Sequence, residues 1–170
     1  MTVKNNEKMW TQYMRYRAGI YETLIPEHYT GSLISEANWI IRSRMSSGEA
    51  MGIRVRPGDI CYMDFGMAYL NEVGYQHFGL IISVKNRKAL CVPMTSNPKT
   101  YAQAYDRTDN PNGKKHLMRI GMLEGMNRPS VLFLNDFRFV NTARVIDVKA
   151  HMPVDSAMFR TVRNRVIDMI

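Results

Sequence analysis

At 170 residues the chain is long enough to bury one core and to carry an appendage. Its 45% hydrophobic and 22% charged residues are those of a soluble globular protein, and no segment approaches the roughly 20 consecutive apolar residues of a membrane-spanning helix. The net charge of +8 and isoelectric point near 9.7 favour a polyanionic partner, either nucleic acid, an acidic protein or a membrane surface, without choosing among them.

The N-terminal stretch MTVKNNEKMW has no apolar run, so no signal peptide is expected and the protein is expected to be cytoplasmic. Residues 8–24 read as an amphipathic helix, with Trp10, Tyr13, Met14, Ile20, Tyr21 and Leu24 near helical spacing as its packing face. Arg15 and Arg17 interleave with Tyr16, a pattern that also suits RNA. Pro26 ends this helix. Ser32 is expected to cap a second one, from Leu33 to about Met45, before Gly48. The two form a helical hairpin, and residues 46–52 are a linker.

Three strands follow, at residues 58–65, 77–84 and 88–95. The last two meet through the polar turn Asn86-Arg87. Leu80, Ile82 and Val84 alternate with Leu90, Val92 and Met94 to put both sets on one sheet face. The loop 66–76 is long for a hairpin, and long loops on small barrels carry function. Cys61 and Cys91 lie in strands at no metal-ligand spacing and read as buried core. Residues 97–115 read as a long mobile loop with a short helix near Tyr101. Strands are expected at 117–123, where Gly121 marks a bulge, at 130–134 and at 142–148. A helix capped by Asp155 closes the chain, with Met158, Val162, Val166 and Met169 on one face.

Antiparallel pairing across Asn86-Arg87 brings Thr95 opposite the start of the second strand, near His77. Cleavage of RNA without a metal needs a group titrating near neutrality, a cation, and hydroxyl or backbone donors for the phosphoryl oxygens. His77 can exchange the proton, and Thr95 and Ser96 can donate to phosphate. A histidine bonded to a backbone carbonyl and hydroxyls that cap a turn are the structural alternatives. His28, His116 and His151 have no convincing partners. No HExxH motif, phosphate-loop glycine pattern or His/Asp cluster at metal spacing occurs, so no metal or cofactor is expected.

Four pieces in order resemble the MazF/PemK-type toxins of bacterial toxin–antitoxin systems. Gly58, Asp59, Ile60, Tyr62, Asp64 and Phe65 match a GDI-x-Y-x-DF strand. Glu72, Gly74, His77 and Phe78 match the loop end, with Leu80 to Ser83 as the strand after it. Val92, Pro93, Thr95 and Ser96 match Val-Pro-x-Thr-Ser. The stretch SVLFLNDFRFVNTARV, with Arg138 and Arg144, is similar to the last strand pair. The resemblance covers about residues 57–146. It implies a mainly β fold, a small SH3-like antiparallel barrel of the PemK/MazF/CcdB type. The helical hairpin (1–52) is appended to a toxin-like unit (53–170) that ends in the C-terminal helix.

It further implies a sequence-selective, metal-independent endoribonuclease toxin that cleaves single-stranded RNA to a 2′,3′-cyclic phosphate and a 5′-hydroxyl. A homodimer and neutralisation by an acidic antitoxin are implied too. His77 and Thr95 are then catalytic, and Glu72, Ser96, Asn97, Asn135 and Arg138 bind substrate. The family usually has Arg where this chain has His77. Some relatives place an acid where Asn135 stands, and an amide cannot act as a base. The reading from another class is a non-catalytic barrel that binds nucleic acid or an acidic protein.

Overall fold

The computed structural model describes residues 3–170. Two helices come first, α1 (Val3–Thr23) and α2 (Pro26–Arg42). The strands are β1 (Asp59–Asp64), β2 (Gln76–Lys85), β3 (Lys88–Thr95), β4 (Leu117–Gly121), β5 (Ser130–Phe133), β6 (Arg138–Asn141) and β7 (Val145–His151). A short helix α3 (Pro98–Gln103) follows β3, and α4 (Ala157–Ile167) ends the chain. All ladders are antiparallel and run β4-β5-β3-β2-β1-β7, with β6 sharing the edge of β3 with β5. The expected mainly β fold with appended helices is present. Among the described residues no ladder joins β4 to β7, so the sheet is curled but not closed by hydrogen bonds.

The curl has a physical cause in the core. Ile60, Leu80, Val92, Met94, Met118 and Leu132 come from five strands and converge in one apolar cluster, into which α4 inserts Phe159, Val162 and Val166. The α4 face is thus centred on Phe159. Met158, expected on that face, is 38% exposed, and the cap is Ser156, whose hydroxyl accepts from Phe159 N, rather than Asp155. A second cluster of Cys61, Met63, Phe65, Ile81, Cys91 and Val145 fills the other side of the sheet. Both cysteines are buried and unpaired, as expected of core residues. Burial pushes the Cys61 thiol up to about 12 and raises Cys91 as well. Gly79 lies where the sheet is tightest. A β-carbon there would collide with Cys91 Sγ and press on Phe65 and Met63.

The β2–β3 hairpin turns at Asn86-Arg87 with φ of 50° and 65°, the two left-handed residues of a type I′ turn. Near the turn Lys85 pairs with Lys88 and Val84 with Ala89. A shift between Ile81 and Ser83 then puts one extra residue in β2, and beyond it Leu80 pairs with Val92 and Phe78 with Met94. The single alternating face read from the sequence is therefore broken. Ile82 joins Leu80 in the first cluster, and Val84 packs on the second.

The helix boundaries also differ from the reading. Pro26 is the first residue of α2 rather than only the stop of α1, because its missing N–H is unneeded there. Ser32, expected as a cap, is buried within α2. Along α1, Trp10, Tyr13, Met14 and Ile20 are exposed rather than packed. Its ties to α2 are Arg17 and Tyr21 on Glu36, and Tyr21 edge-on to Tyr29. Residues 97–115 hold local structure. Besides α3, Asn110 Nδ2 donates to the Ala102 and Ala104 oxygens, and Arg119 forms a bidentate pair with Asp109.

Arg87 is exposed and adopts a left-handed backbone, which costs a non-glycine residue about 1–2 kcal/mol. Arg87→Gly should therefore raise stability by about 0.5–1 kcal/mol after the added freedom of the unfolded chain is counted. A shift of the urea midpoint to higher concentration, at unchanged slope, checks it.

Candidate functional site

β1 and β2 end side by side, Met63 opposite His77 and Asp64 opposite Gln76. Carried one step past Phe78 and Met94, the β2–β3 register sets Thr95 against His77. The shift at Ile82 is what does this. Without it Thr95 would oppose Phe78 and face the other side of the sheet. The expected proximity therefore holds in register, by a feature the sequence did not reveal.

His77 is half-buried, and burial lowers its pKa below the ordinary value of about 6.5. Burial thus favours the neutral ring, which has a nitrogen able to accept a proton. Thr95 Oγ1 accepts from Asn97 N at 3.2 Å, which leaves the hydroxyl hydrogen free to donate. Asn97 is engaged as the cap of α3, its Oδ1 accepting from Lys99 N and Thr100 N. Ser96 borders a separate cleft of about 360 Å³ with Tyr101, Arg119 and Arg128.

The other expected site residues are placed differently. Glu72, expected to bind substrate, turns back on its own loop and accepts from Tyr69 N at 3.3 Å. Asn135 is exposed in a single 3₁₀ turn between β5 and β6. Arg138 is tied down. It donates to Asp136 Oδ1 at 2.5 Å and to the Val73 oxygen at 3.3 Å, and its guanidinium lies 5.6 Å from the centre of the Phe65 ring. Asp136 also accepts from Val73 N at 2.5 Å. These two residues pin the loop 66–75 to β6. His151, expected to be partnerless, bonds through Nδ1 to the buried Asp59 at 2.8 Å.

The sequence reading missed a larger cleft of about 480 Å³ at the same strand ends, between α2, Phe65 to Met67 and the turn before β7. Its floor is organised by Asp64, which is buried. The carboxylate accepts from Ser35 Oγ at 2.8 Å, Asn38 Nδ2 at 2.7 Å and Gly66 N at 2.8 Å, and so joins α2 to the end of β1. Gln76 continues the seam, donating to Ser35 Oγ at 2.8 Å. The available signal was Asp64 itself, an acid in an otherwise apolar strand. Among the described residues no group of three or more His, Cys, Asp or Glu is placed to hold a metal ion, and no helix is long and apolar enough to cross a membrane.

No family model and no curated protein matches the chain. Solved structures are similar to it over about two thirds of its length. MazF from Deinococcus radiodurans matches 69% of this chain and 96% of its own, at 15% identity and a TM-score of 0.49. An endoribonuclease from a mycobacterial species, in complex with its cognate antitoxin, matches 68% and 94%, at 11% identity and a TM-score of 0.45. The Mycobacterium tuberculosis toxin MazF-mt6 matches 65% and 94%, at 9% identity and a TM-score of 0.44. Two of these three descriptions name MazF.

Two outcomes follow from this geometry. Asp64→Ala should strip α2 of its anchor, since hydrogen bonds to a charged group are worth about 1.5–3 kcal/mol each. Amide exchange should accelerate along α2 and stay slow in the β2–β3 hairpin. For His77 the unfolded state binds the proton more readily than the folded one, so its contribution is fully present above about pH 6.5 and falls as pH drops through the window below. Denaturant titrations from about pH 7 to about pH 5 should show the wild type losing stability relative to His77→Gln.

Proposed function

We propose that the chain is a metal-independent endoribonuclease toxin of a toxin–antitoxin system, acting on single-stranded RNA. The observation that carries the proposal is the strand register that sets His77 against the Thr95 hydroxyl at adjacent strand ends. The four motifs and the net charge of +8 support it.

In this reading His77 takes the proton from a ribose 2′-hydroxyl as that oxygen attacks the adjacent phosphorus. The bond from phosphorus to the 5′-oxygen breaks, that oxygen takes a proton from water, and the hydroxide left is neutralised by the proton that His77 releases. The products are a 2′,3′-cyclic phosphate and a 5′-hydroxyl. Thr95 Oγ donates to a phosphoryl oxygen as charge builds on it. Ser96, Asn97 and Asn135 line the path of the strand. Arg138 acts through the loop it holds, and Glu72 contacts RNA rather than His77. Residues 1–52 are an extension and 53–170 the toxin unit, which works as a homodimer in the cytoplasm. The acidic antitoxin follows from the motif resemblance and the basic charge.

A long mixed-sequence RNA, incubated with protein in EDTA, tests this. Wild type should give discrete fragments, which reveal the sequence preference. His77→Ala and Thr95→Ala should each lose about 10²–10⁴-fold in rate while keeping the wild-type circular dichroism. Binding of several RNAs with no cleavage at any pH would instead establish a non-catalytic module, the reading that Asn135 in place of an acid favours.

A further inference from the structure

The cleft between α2 and the strand ends is lined by charges that the fold leaves uncompensated. Arg42 Nη1 donates to the main-chain oxygens of Ala143 at 3.2 Å and Val145 at 2.7 Å, one residue to either side of Arg144. Arg144 Nη1 donates to the Asp64 main-chain oxygen at 3.1 Å. Both arginines are half-buried residues, and among the described residues neither has a carboxylate within salt-bridge distance. The two acids in the same wall are committed elsewhere, Glu36 to Arg17 and Tyr21, and Asp64 to Ser35, Asn38 and Gly66. Two neighbouring cations held only by carbonyl groups raise each other's energy, and an anion relieves this.

The two helices supply the second half of a ligand site, Trp39 from α2 and Tyr13 from α1. Trp39 and Tyr13 line the cleft while remaining 68% and 53% exposed. Large flat rings beside guanidinium groups are the pairing that single-stranded nucleic acid uses, with base on ring and phosphate on guanidinium. The volume of about 480 Å³ is within the range of small-molecule sites. A carboxylate-bearing peptide would satisfy the arginines but would leave the exposed Trp39 ring without a planar partner.

We propose that this cleft is a nucleotide subsite for single-stranded RNA, with the base against Trp39 and Tyr13 and the phosphate on Arg42 and Arg144. The identity of the polymer rests on the RNA reading above. The appended hairpin is then part of the substrate surface. The cleft borders the end of β1 at Asp64, next to Met63, which pairs with His77.

The probe is a short, labelled 2′-O-methyl oligoadenylate, which has no free 2′-hydroxyl and cannot be cut. The chain has two tryptophans, so Trp10→Phe leaves Trp39 as the only one. Binding should change Trp39 emission. Followed by anisotropy, Arg144→Gln should weaken binding about tenfold or more and lower the salt slope by about 1, as loss of one phosphate contact requires. Trp39→Ala, at an exposed position that the fold does not need, should weaken it at least about fivefold with the slope unchanged. Arg144→Lys keeps a charge without the fork and should fall between wild type and Arg144→Gln, which separates the ligand contact from folding.

Equal affinity and slope in wild type, Arg144→Gln and Trp39→Ala would overturn the proposal. So would binding without any response of Trp39, or Arg144-dependent binding of polyglutamate that the oligoadenylate does not displace. Because the probe cannot be cleaved, failure of the nuclease reading leaves this result standing. RNA cleavage with an idle cleft would remove only the subsite.

Discussion

One extra residue in β2 decides what the ends of the sheet can do. The shift at Ile82 is a local fault in a hairpin, yet side chains on a strand alternate with period two, so it reassigns every residue beyond it. On one side it divides Ile82 and Val84 between the two apolar clusters, and each cluster is then filled. On the other it turns Thr95 to the side of the sheet that His77 occupies. Both cores are filled in the shifted register, and the same shift makes the His77–Thr95 pairing.

Two buried or half-buried acids then fix what surrounds that pair. Asp64 gathers donors from α2 and from the start of the 66–75 loop. Asp136, with Arg138, takes hold of the same loop near its far end at Val73. The loop that could have been a mobile lid is thus anchored at both ends, with Phe65 N bonded to the Tyr75 oxygen and Tyr75 N to the Gly66 oxygen between them. Arg138 and Arg144 divide the labour that the motif resemblance implied for arginine. The first is spent on architecture, and the second keeps its charge facing a cleft.

Much of this was legible in the sequence where apolar patterning is strong. The strands 58–65, 77–84 and 88–95 lie within one residue of β1, β2 and β3, because their Ile, Val and Leu runs are bounded by Gly, Asn and Arg turns. The two cysteines and the bulge at Gly121 were equally plain. What failed were assignments that depend on three-dimensional neighbours. Ser32 has the chemistry of a cap, but Pro26 starts the helix earlier and Ser32 is carried into its interior. His151 has no partner in sequence because Asp59 reaches it across the β1–β7 ladder. The cleft of Arg42, Arg144 and Trp39 joins positions about a hundred residues apart, with no spacing to announce them.

The central claim is that a neutral His77 activates a ribose hydroxyl with no metal. It is tested most directly by substituting a single 2′-deoxynucleotide at a site the wild-type protein cuts, and sequencing the fragments made in EDTA. The account predicts that cleavage vanishes at that position alone, while every other fragment ends in a 2′,3′-cyclic phosphate. Cutting at the deoxynucleotide, or fragments bearing 5′-phosphates, would contradict it.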